Sequence, residues 1–130
     1  LASSCGDGPR SSPLWFLYEE ERIWLFGTDK DSFIQRLLDE PRCALSIVDL
    51  NLDGGVLRHV GVRGIATVHV VNSNRLKRFV GRYLGNDEET WNKWFVENIV
   101  DPLNRMVEVD LETVVAKDVS FFKTGPNLAK

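Results

Sequence analysis

The chain has 130 residues, of which 43% are hydrophobic and 27% are charged. These proportions are typical of one soluble globular domain built around a single core. The formal net charge is −3, and the basic residues are scattered among acids, which argues against general nucleic-acid binding. No apolar run approaches the ~20 residues that a membrane-spanning helix needs. We therefore expect residues 1–130 to form one domain that binds neither nucleic acid nor a membrane.

The apolar pattern predicts a mainly β fold of six or seven strands with flanking helices. The predicted strands are Leu1–Ser4, Arg10–Tyr18, Arg22–Phe26, Cys43–Val48, Val56–Val71 and Asn104–Ala116, with a short seventh at Val119–Phe122. Short helices are expected after the third strand, up to Leu38, and after the fifth strand, first from about Asn74 to Leu84 and then up to about Ile99. Gly61 and Gly64 interrupt the long fifth strand, where glycine often marks a bulge or a tight bend.

Two further features concern the cysteines and the start of the chain. Cys5 and Cys43 have neither the CxxC spacing nor a zinc-ligand pattern, so we predict no metal site. Two cysteines without such spacing favour a reducing, cytoplasmic compartment. The chain begins with Leu1 rather than Met, and Leu1–Ser4 looks like the end of a strand, so we expect an N-terminal segment to be missing.

Arg10 and Ser12 are the first candidate site residues. They lie on a predicted strand edge near the start of a helix, where backbone N–H groups and the helix dipole favour an anion. An arginine fork and a serine hydroxyl are suitable phosphate donors. The alternative interpretation is an exposed strand edge with ordinary polar side chains.

Four motifs, in this order and spacing, resemble those of the pyridoxamine 5'-phosphate oxidase-like FMN-binding split-barrel family. They are a strand end of small residues, a turn with Gly and Pro-Arg, an aromatic hairpin, and a helix that ends in D-x-P-R. In this chain they read Leu1-Ala2-Ser3, Asp7-Gly8-Pro9-Arg10, Ser12-Pro13-Leu14-Trp15-Phe16 and Asp39-Glu40-Pro41-Arg42. The resemblance implies a split β-barrel, a homodimer, and FMN sites at the dimer interface.

The resemblance also implies which residues contact the cofactor. The phosphate contacts would come from polar residues of the second strand and of the bend before the first helix. The ring contacts would come from aromatic residues of the hairpin and from one residue at the start of the long strand, His59, whose ring could donate a hydrogen bond to the flavin. The implied cofactor-binding residues are Arg10, Ser11, Ser12, Trp15, Phe26, Thr28, Lys30, Ser32 and His59. An alternative for His59 is a surface histidine without a ligand.

The sequence departs from the family at the phosphate motif. The family usually has a Ser/Thr-x-Lys signature here, but the alignment places Ser32 or Phe33 at the lysine, and only Lys30 could replace it from a shifted position. Asp31 adds a negative charge that disfavours a nearby dianion by roughly 1 kcal/mol or more. Gly8 also directly precedes Pro9, where the family usually has a residue in between.

Two hypotheses follow from these observations. The first is an FMN-dependent oxidoreductase that acts on a small molecule through the flavin, with catalytic residues not identifiable from the sequence. The second is a non-catalytic split barrel that serves as a binding or dimerisation module with weak or no flavin affinity. Relatives that use a deazaflavin or haem make the cofactor itself an open question.

Overall fold

Seven antiparallel strands form one sheet, with three helices against it. The computed structural model describes residues 1–121. The strands are β1 (Ala2–Cys5), β2 (Gly8–Ser11), β3 (Phe16–Glu19), β4 (Arg22–Thr28), β5 (Arg42–Asn51), β6 (Val56–Val70) and β7 (Asn104–Asp118). The helices are α1 (Ser32–Asp39), α2 (Ser73–Leu84) and α3 (Lys93–Asn98). The strand order is β2-β1-β5-β6-β7-β4-β3, so the three longest strands are adjacent at the centre.

The predicted second strand, Arg10–Tyr18, is two strands rather than one. The Ser12 N–H donates to the Leu1 carbonyl oxygen at 2.8 Å at the end of the β1–β2 ladder. The chain then leaves this edge of the sheet, and Phe16 pairs with Leu25 of β4 at the other edge. Pro13 has no N–H to donate to a ladder, so a continuous strand through it is disfavoured.

The helical region after β6 also differs in detail from the prediction. Asn72, rather than Ser73, caps α2, because its side-chain oxygen accepts from the Arg75 N–H at 3.1 Å. The single helix expected up to Ile99 is a 3-10 turn at Glu88–Thr90 followed by α3. Asp87 and Asn92 each cap the segment that follows them, so two capping side chains divide the region.

The predicted last strand, Val119–Phe122, is not formed over residues 119–121. The N–H groups of Val119 and Phe121 still donate to the carbonyl oxygens of Leu57 and Gly55. These two bonds do not extend into a regular ladder. Phe122 lies outside the described residues.

Strand β4 buries both of its faces. Ile23 and Leu25 face a core that also contains Ile34 and Leu37 of α1. Trp24 faces a second core, formed largely by α2, on the other side of the sheet. Because helices cover the strand on two sides, its sequence is apolar at consecutive positions instead of alternating.

A β-bulge interrupts the ladder between β6 and β7. Arg63 pairs with Thr113 and Gly64 pairs with Leu111, so Glu112 is the extra residue of the bulge. The bend predicted at Gly64 is therefore confirmed. Close approach explains the glycine, since a Cβ there would lie 2.9 Å from Cγ1 of Val109.

A carboxylate connects β3 to α2. Glu19 accepts from Nε and Nη2 of Arg78 at 2.8 and 2.7 Å, and from Nε of Arg75 at 3.2 Å. The Arg75 guanidinium lies 3.7 Å from the centre of the Trp24 ring, a cation–π contact. The hydrogen bonds from Arg78 are the largest cause that lowers the pKa of Glu19.

This lowered pKa predicts acid sensitivity. A carboxylate whose folded pKa lies below its unfolded value stabilises the fold above the unfolded pKa, about 4.3 for Glu. That stabilisation is lost as pH falls through the folded pKa. We expect Glu19→Gln to lower the free energy of unfolding at pH 7 by about 1 kcal/mol, and the loss to shrink below about pH 4. Urea unfolding at both pH values tests this. Glu97→Gln, at an exposed ion pair with Lys93, is the matched control, and an equal loss at both pH values would contradict the assignment.

Candidate functional site

An aromatic hollow lies between the 12–15 segment, β4 and α2. It has a volume of about 360 Å³ and is lined by Pro13, Leu14, Trp15, Phe26 and Phe79. The Trp15 ring stacks on Tyr83 with ring centres 4.2 Å apart and an angle of 9° between the planes. Trp15 as a whole is 39% exposed, so one part of the residue is fixed by Tyr83 and another part faces solvent. A flat apolar group could pack in this hollow.

Tyr83 holds the start of β3 and thereby the position of Trp15. Its hydroxyl accepts from the Phe16 N–H at 2.8 Å and donates to the Phe16 carbonyl oxygen at 3.1 Å. Arg82 donates to the same carbonyl at 2.8 Å and stacks over the Phe16 ring at 4.0 Å. Two residues of α2 therefore fix the backbone next to the predicted ring-contacting tryptophan.

A second, smaller cavity lies beneath α3. Its volume is about 70 Å³, and Phe26 and Thr28 form part of its wall. Asn104 also lines it and is 4% exposed, with its side-chain amide donating to the carbonyl oxygen of Asn98 at 2.8 Å. Since one water occupies about 30 Å³ of liquid, this cavity is far too small for a flavin ring.

The bend between β4 and α1 holds the two remaining phosphate candidates. Lys30 and Ser32 are exposed, and Lys30 makes no hydrogen bond or ion pair within residues 1–121. The Asp31 carboxylate accepts from the Thr28 N–H at 2.7 Å, which fixes an acid in this bend. Phe33 is 6% exposed and belongs to the core. The bend therefore offers one cation, Lys30, and two carboxylates, Asp29 and Asp31.

Packing explains why Phe33, one of the two positions that the alignment places at the expected lysine, is aromatic. Its ring fills the space above Gly27, where a Cβ would lie 2.8 Å from Cε1 of the ring. A lysine at position 33 would place its charge in this buried space, which is costly without a partner.

The β2 edge places Arg10 beside acids and Ser11 in a groove. Arg10 donates to the Asp7 carboxylate at 3.1 Å, and Nη1 of Arg36 donates to the other oxygen of Asp7 at 2.5 Å. The hydrogen bond from Arg36 is the main cause of the lowered pKa of Asp7. Arg10 therefore shares its acidic partner with a buried arginine.

A groove of about 490 Å³ crosses the outer face of β5, β6 and β7. Ser11 and His59 both line it. The Ser46 hydroxyl lies 2.7 Å from Nε2 of His59, which fixes the orientation of the imidazole. His69, on the same strand, bonds instead to Glu108 at 3.0 Å.

The chain thus distributes its predicted site residues over five places. Trp15 and Phe26 share the aromatic hollow, and Phe26 also shares the small cavity with Thr28. Ser11 and His59 share the groove. Arg10 and Ser12 lie at the β2 edge, and Lys30 and Ser32 lie in the β4–α1 bend. Within residues 1–121, no hydrogen bond or ion pair joins these two pairs.

This chain is similar to known proteins in structure but not in sequence. No family model and no curated protein matches the sequence. The conserved hypothetical protein Rv2991 from Mycobacterium tuberculosis has a similar structure, with a TM-score of 0.70 and 20% identity, over 98% of this chain and 84% of that one. An FAD-binding protein from Mesorhizobium loti matches with a TM-score of 0.64 and 16% identity, over 92% and 83%. A pyridoxamine 5'-phosphate oxidase candidate from Listeria innocua matches with a TM-score of 0.62 and 13% identity, over 88% and 83%.

This chain has the split-barrel fold of the pyridoxamine 5'-phosphate oxidase-like proteins. The mainly β fold predicted by the apolar pattern is therefore confirmed, with seven strands among residues 1–121. The split barrel implied by the four motifs is confirmed as well. Its split barrel has two hydrophobic clusters, one inside the sheet and one beneath α2.

The described part of this split barrel has neither a metal-binding cluster nor a membrane-spanning helix. Among residues 1–121, no group of three or more His, Cys, Asp or Glu side chains is placed to hold a metal ion. No helix in that range has the length and apolar character that crossing a bilayer requires. Cys5 and Cys43 are both unpaired thiols, and burial raises the pKa of Cys43 to about 11.

Three residues around these places were not selected from the sequence. Tyr83 has no local signal in the sequence, because its hydroxyl bonds to Phe16 depend on a contact 67 residues away in the chain. Ser46 and Arg63 line the groove with His59. Arg63 could have been found, because residues 59, 61 and 63 share one face of a strand with period two.

Proposed function

We propose that this split barrel is a flavoprotein that binds FMN between two copies of the chain. The observation that supports this most is the separation of the ring-contact candidates. One chain offers an aromatic hollow with Trp15 and Phe26, and elsewhere a groove with His59. A site that needs both parts draws one from each copy, as the resemblance implies.

An apolar surface supports the second copy. The β5–β6 hairpin and the part of β7 that pairs with it expose aliphatic side chains to solvent. Val48, Leu50, Leu52, Val114 and Val115 are each more than half exposed. By register, Val48, Leu50 and Val115 lie on one face of the sheet, and exposed apolar residues that share a face are typical of association surfaces.

The residues fit the two halves of FMN unequally. The hollow offers stacked aromatic rings for an isoalloxazine, and the groove offers an oriented imidazole. For the phosphate, Lys30 is the cation of the β4–α1 bend whose side chain has no partner within residues 1–121. Two hydrogen bonds join Asp31 to Thr28, and the Asp31 carboxylate accepts one of them. We therefore expect ring contacts to contribute more to the affinity than phosphate contacts do.

The proposed roles of the residues follow from this fit. A bound flavin would supply the two-electron chemistry that the protein's own side chains lack. Trp15 and Phe26 would exclude water from one face of the ring and fix its plane. His59, oriented by Ser46, would donate a hydrogen bond at the ring edge. Arg10, Ser11, Ser12, Thr28, Lys30 and Ser32 would hold the phosphate and ribityl chain by charge and hydrogen bonds.

Titration with FMN and with riboflavin tests this proposal. Both should quench on binding, because both carry the ring, and their affinities should lie within about tenfold of each other. Lys30→Ala should weaken FMN about fivefold and leave riboflavin unchanged, since an exposed charge pair contributes about 1 kcal/mol. Trp15→Leu should weaken both ligands.

Lys93→Ala is the matched control, because Lys93 is 87% exposed and lies on α3. It should change neither affinity. A wild-type protein that quenches neither ligand would overturn the proposal, and the same titration with a deazaflavin then distinguishes the cofactor alternative. We place such a flavoprotein, acting on a small molecule, in the reducing cytoplasm, which two unpaired cysteines support.

The second candidate function is a dimerisation or binding module without flavin. Two observations favour it: Phe33, one of the two positions aligned with the family's lysine, is buried, and Asp31 fixes a carboxylate in the same bend. This candidate predicts a concentration-dependent dimer in analytical ultracentrifugation and no response to any flavin.

A further inference from the structure

The groove on the outer face of β5, β6 and β7 has an unusual charge distribution. None of the residues that line it is acidic, while Arg63 and His59 are both among them. Lys117 of β7 pairs in register with His59, which adds a second cation beside the groove. Within residues 1–121, neither the Arg63 nor the Lys117 side chain makes a hydrogen bond or an ion pair.

The opposite face of the same strand is neutralised. Arg58 lies near Asp49 at 3.8 Å and near Asp118 at 3.7 Å. Successive residues of a strand point to opposite faces, so Arg58 faces away from His59. Acids therefore accompany the arginine on one face and are missing from the groove on the other.

The floor of the groove is apolar and lowered at its centre. Gly61 lies between His59 and Arg63, and opposite Ser46 and Val115 on the neighbouring strands. A Cβ at Gly61 would lie 3.2 Å from Cε1 of His59. The His59 ring therefore packs over Gly61, and the room for a flat group is the part of the groove beside this ring, towards Arg63. Ala44 and Val115 supply apolar surface beside it.

Hydroxyl groups complete the set of donors. Ser11, Ser46 and Thr113 line the groove together with Arg63. Ser46 is engaged with His59, and Thr113 pairs in register with Arg63. Arginine with hydroxyl donors is a suitable set for a carboxylate, because the guanidinium offers two parallel N–H groups.

We propose that this groove binds a small carboxylate carried on a flat apolar body, such as an aromatic acid. Arg63 binds the carboxylate, Thr113 adds a hydroxyl donor, and the body lies beside the His59 ring against Ala44 and Val115. The binding itself depends only on the groove. Its identification as the substrate pocket of an oxidoreductase rests on the proposed function, because His59 would then lie between the acid and the flavin.

The test uses sodium benzoate as the probe and isothermal titration calorimetry of the full chain. Wild-type protein should bind benzoate, and benzamide, its neutral analogue, should bind at least tenfold more weakly. Arg63→Gln should weaken benzoate about tenfold or more, and Arg63→Lys should give an intermediate value because it keeps the charge without the fork. Gly61→Val should also weaken benzoate binding, because the added side chain would push the His59 ring into the groove.

Arg58→Gln is the matched control, since it changes the same residue type on the same strand but on the opposite face. It should leave benzoate affinity within twofold of wild type. Equal affinity in Arg63→Gln and Arg58→Gln, equal binding of benzamide, or no benzoate binding because a second copy covers the groove would each overturn the inference.

The flavin titration is run separately on wild-type protein, so the two proposals fail independently. Benzoate binding that depends on Arg63, without any flavin response, supports the groove and overturns the flavoprotein. Flavin binding without an Arg63-dependent benzoate signal overturns the groove alone.

Discussion

Replacing Arg36 with alanine will lower the free energy of unfolding by about 3 kcal/mol, because a charged donor with several partners is lost. Arg36 is 6% exposed and extends from α1 to the β1–β2 hairpin. It donates to the Ser3 hydroxyl at 3.1 Å, the Ser3 carbonyl at 3.3 Å, the Gly8 carbonyl at 2.5 Å and the Asp7 carboxylate at 2.5 Å. Without the guanidinium, Ser3, which is 4% exposed, has no comparable donor to bond with.

Urea unfolding followed by tryptophan fluorescence measures this loss. Arg42→Ala is the matched control, because the Arg42 side chain is 79% exposed and, within residues 1–121, forms an ion pair with Glu40 alone. Exposed ion pairs contribute about 0–1 kcal/mol. Arg36→Lys keeps the charge but not the fork, so it should recover only a minor part of the loss. A loss below about 1 kcal/mol for Arg36→Ala would show that the buried guanidinium is not what holds the hairpin to α1.

Replacing Gly64 with alanine is expected to destabilise the fold by about 2–3 kcal/mol or more, as overpacking does. The new Cβ would lie inside van der Waals distance of the Asp110 carbonyl oxygen and 2.9 Å from Cγ1 of Val109. Val109 is fully buried and Asp110 belongs to the paired strand, so neither moves cheaply. The bulge would have to widen and break adjacent ladder bonds between β6 and β7.

Thermal unfolding compares Gly64→Ala with Gly54→Ala. At Gly54 the nearest atoms to an added Cβ belong to the Asn51 side chain, at 3.7 Å or more, so that variant should unfold within a few degrees of wild type. Similar midpoints for the two variants would mean that the bulge adapts without cost. A wild-type-like ladder in the Gly64→Ala variant would mean the same.

The sequence predicts the elements of this fold better than their joins. Alternation and the glycines located the long strands and the bulge at Gly64, because both signals are local. The split of Arg10–Tyr18 was missed, although Pro13 stands inside it, because Leu14–Tyr18 is apolar enough to continue a strand. What decides the break is long-range: Ser12 pairs with Leu1, while Phe16 pairs with Leu25.

The candidate site is harder to predict, for a physical reason. Single residues such as Trp15 and His59 were selected by the resemblance, and the structure places them in the aromatic hollow and the groove. Sequence cannot show that these places are separate on one chain. Nor does it show that Arg63 lacks an acid, since that depends on which side chains of β5 and β7 face the same way.

The edge of the sheet at β3 has a consequence for aggregation. An edge strand presents unpaired N–H and carbonyl groups that can recruit another chain, but Tyr83 and Arg82 occupy both groups of Phe16. The other edge, β2, has four residues and contains Pro9, which cannot donate. Displacement of α2, for example by acid at Glu19, would therefore uncover the apolar segment Phe16–Tyr18 as a template for intermolecular β-pairing. Turbidity in acid should then rise before the barrel core unfolds.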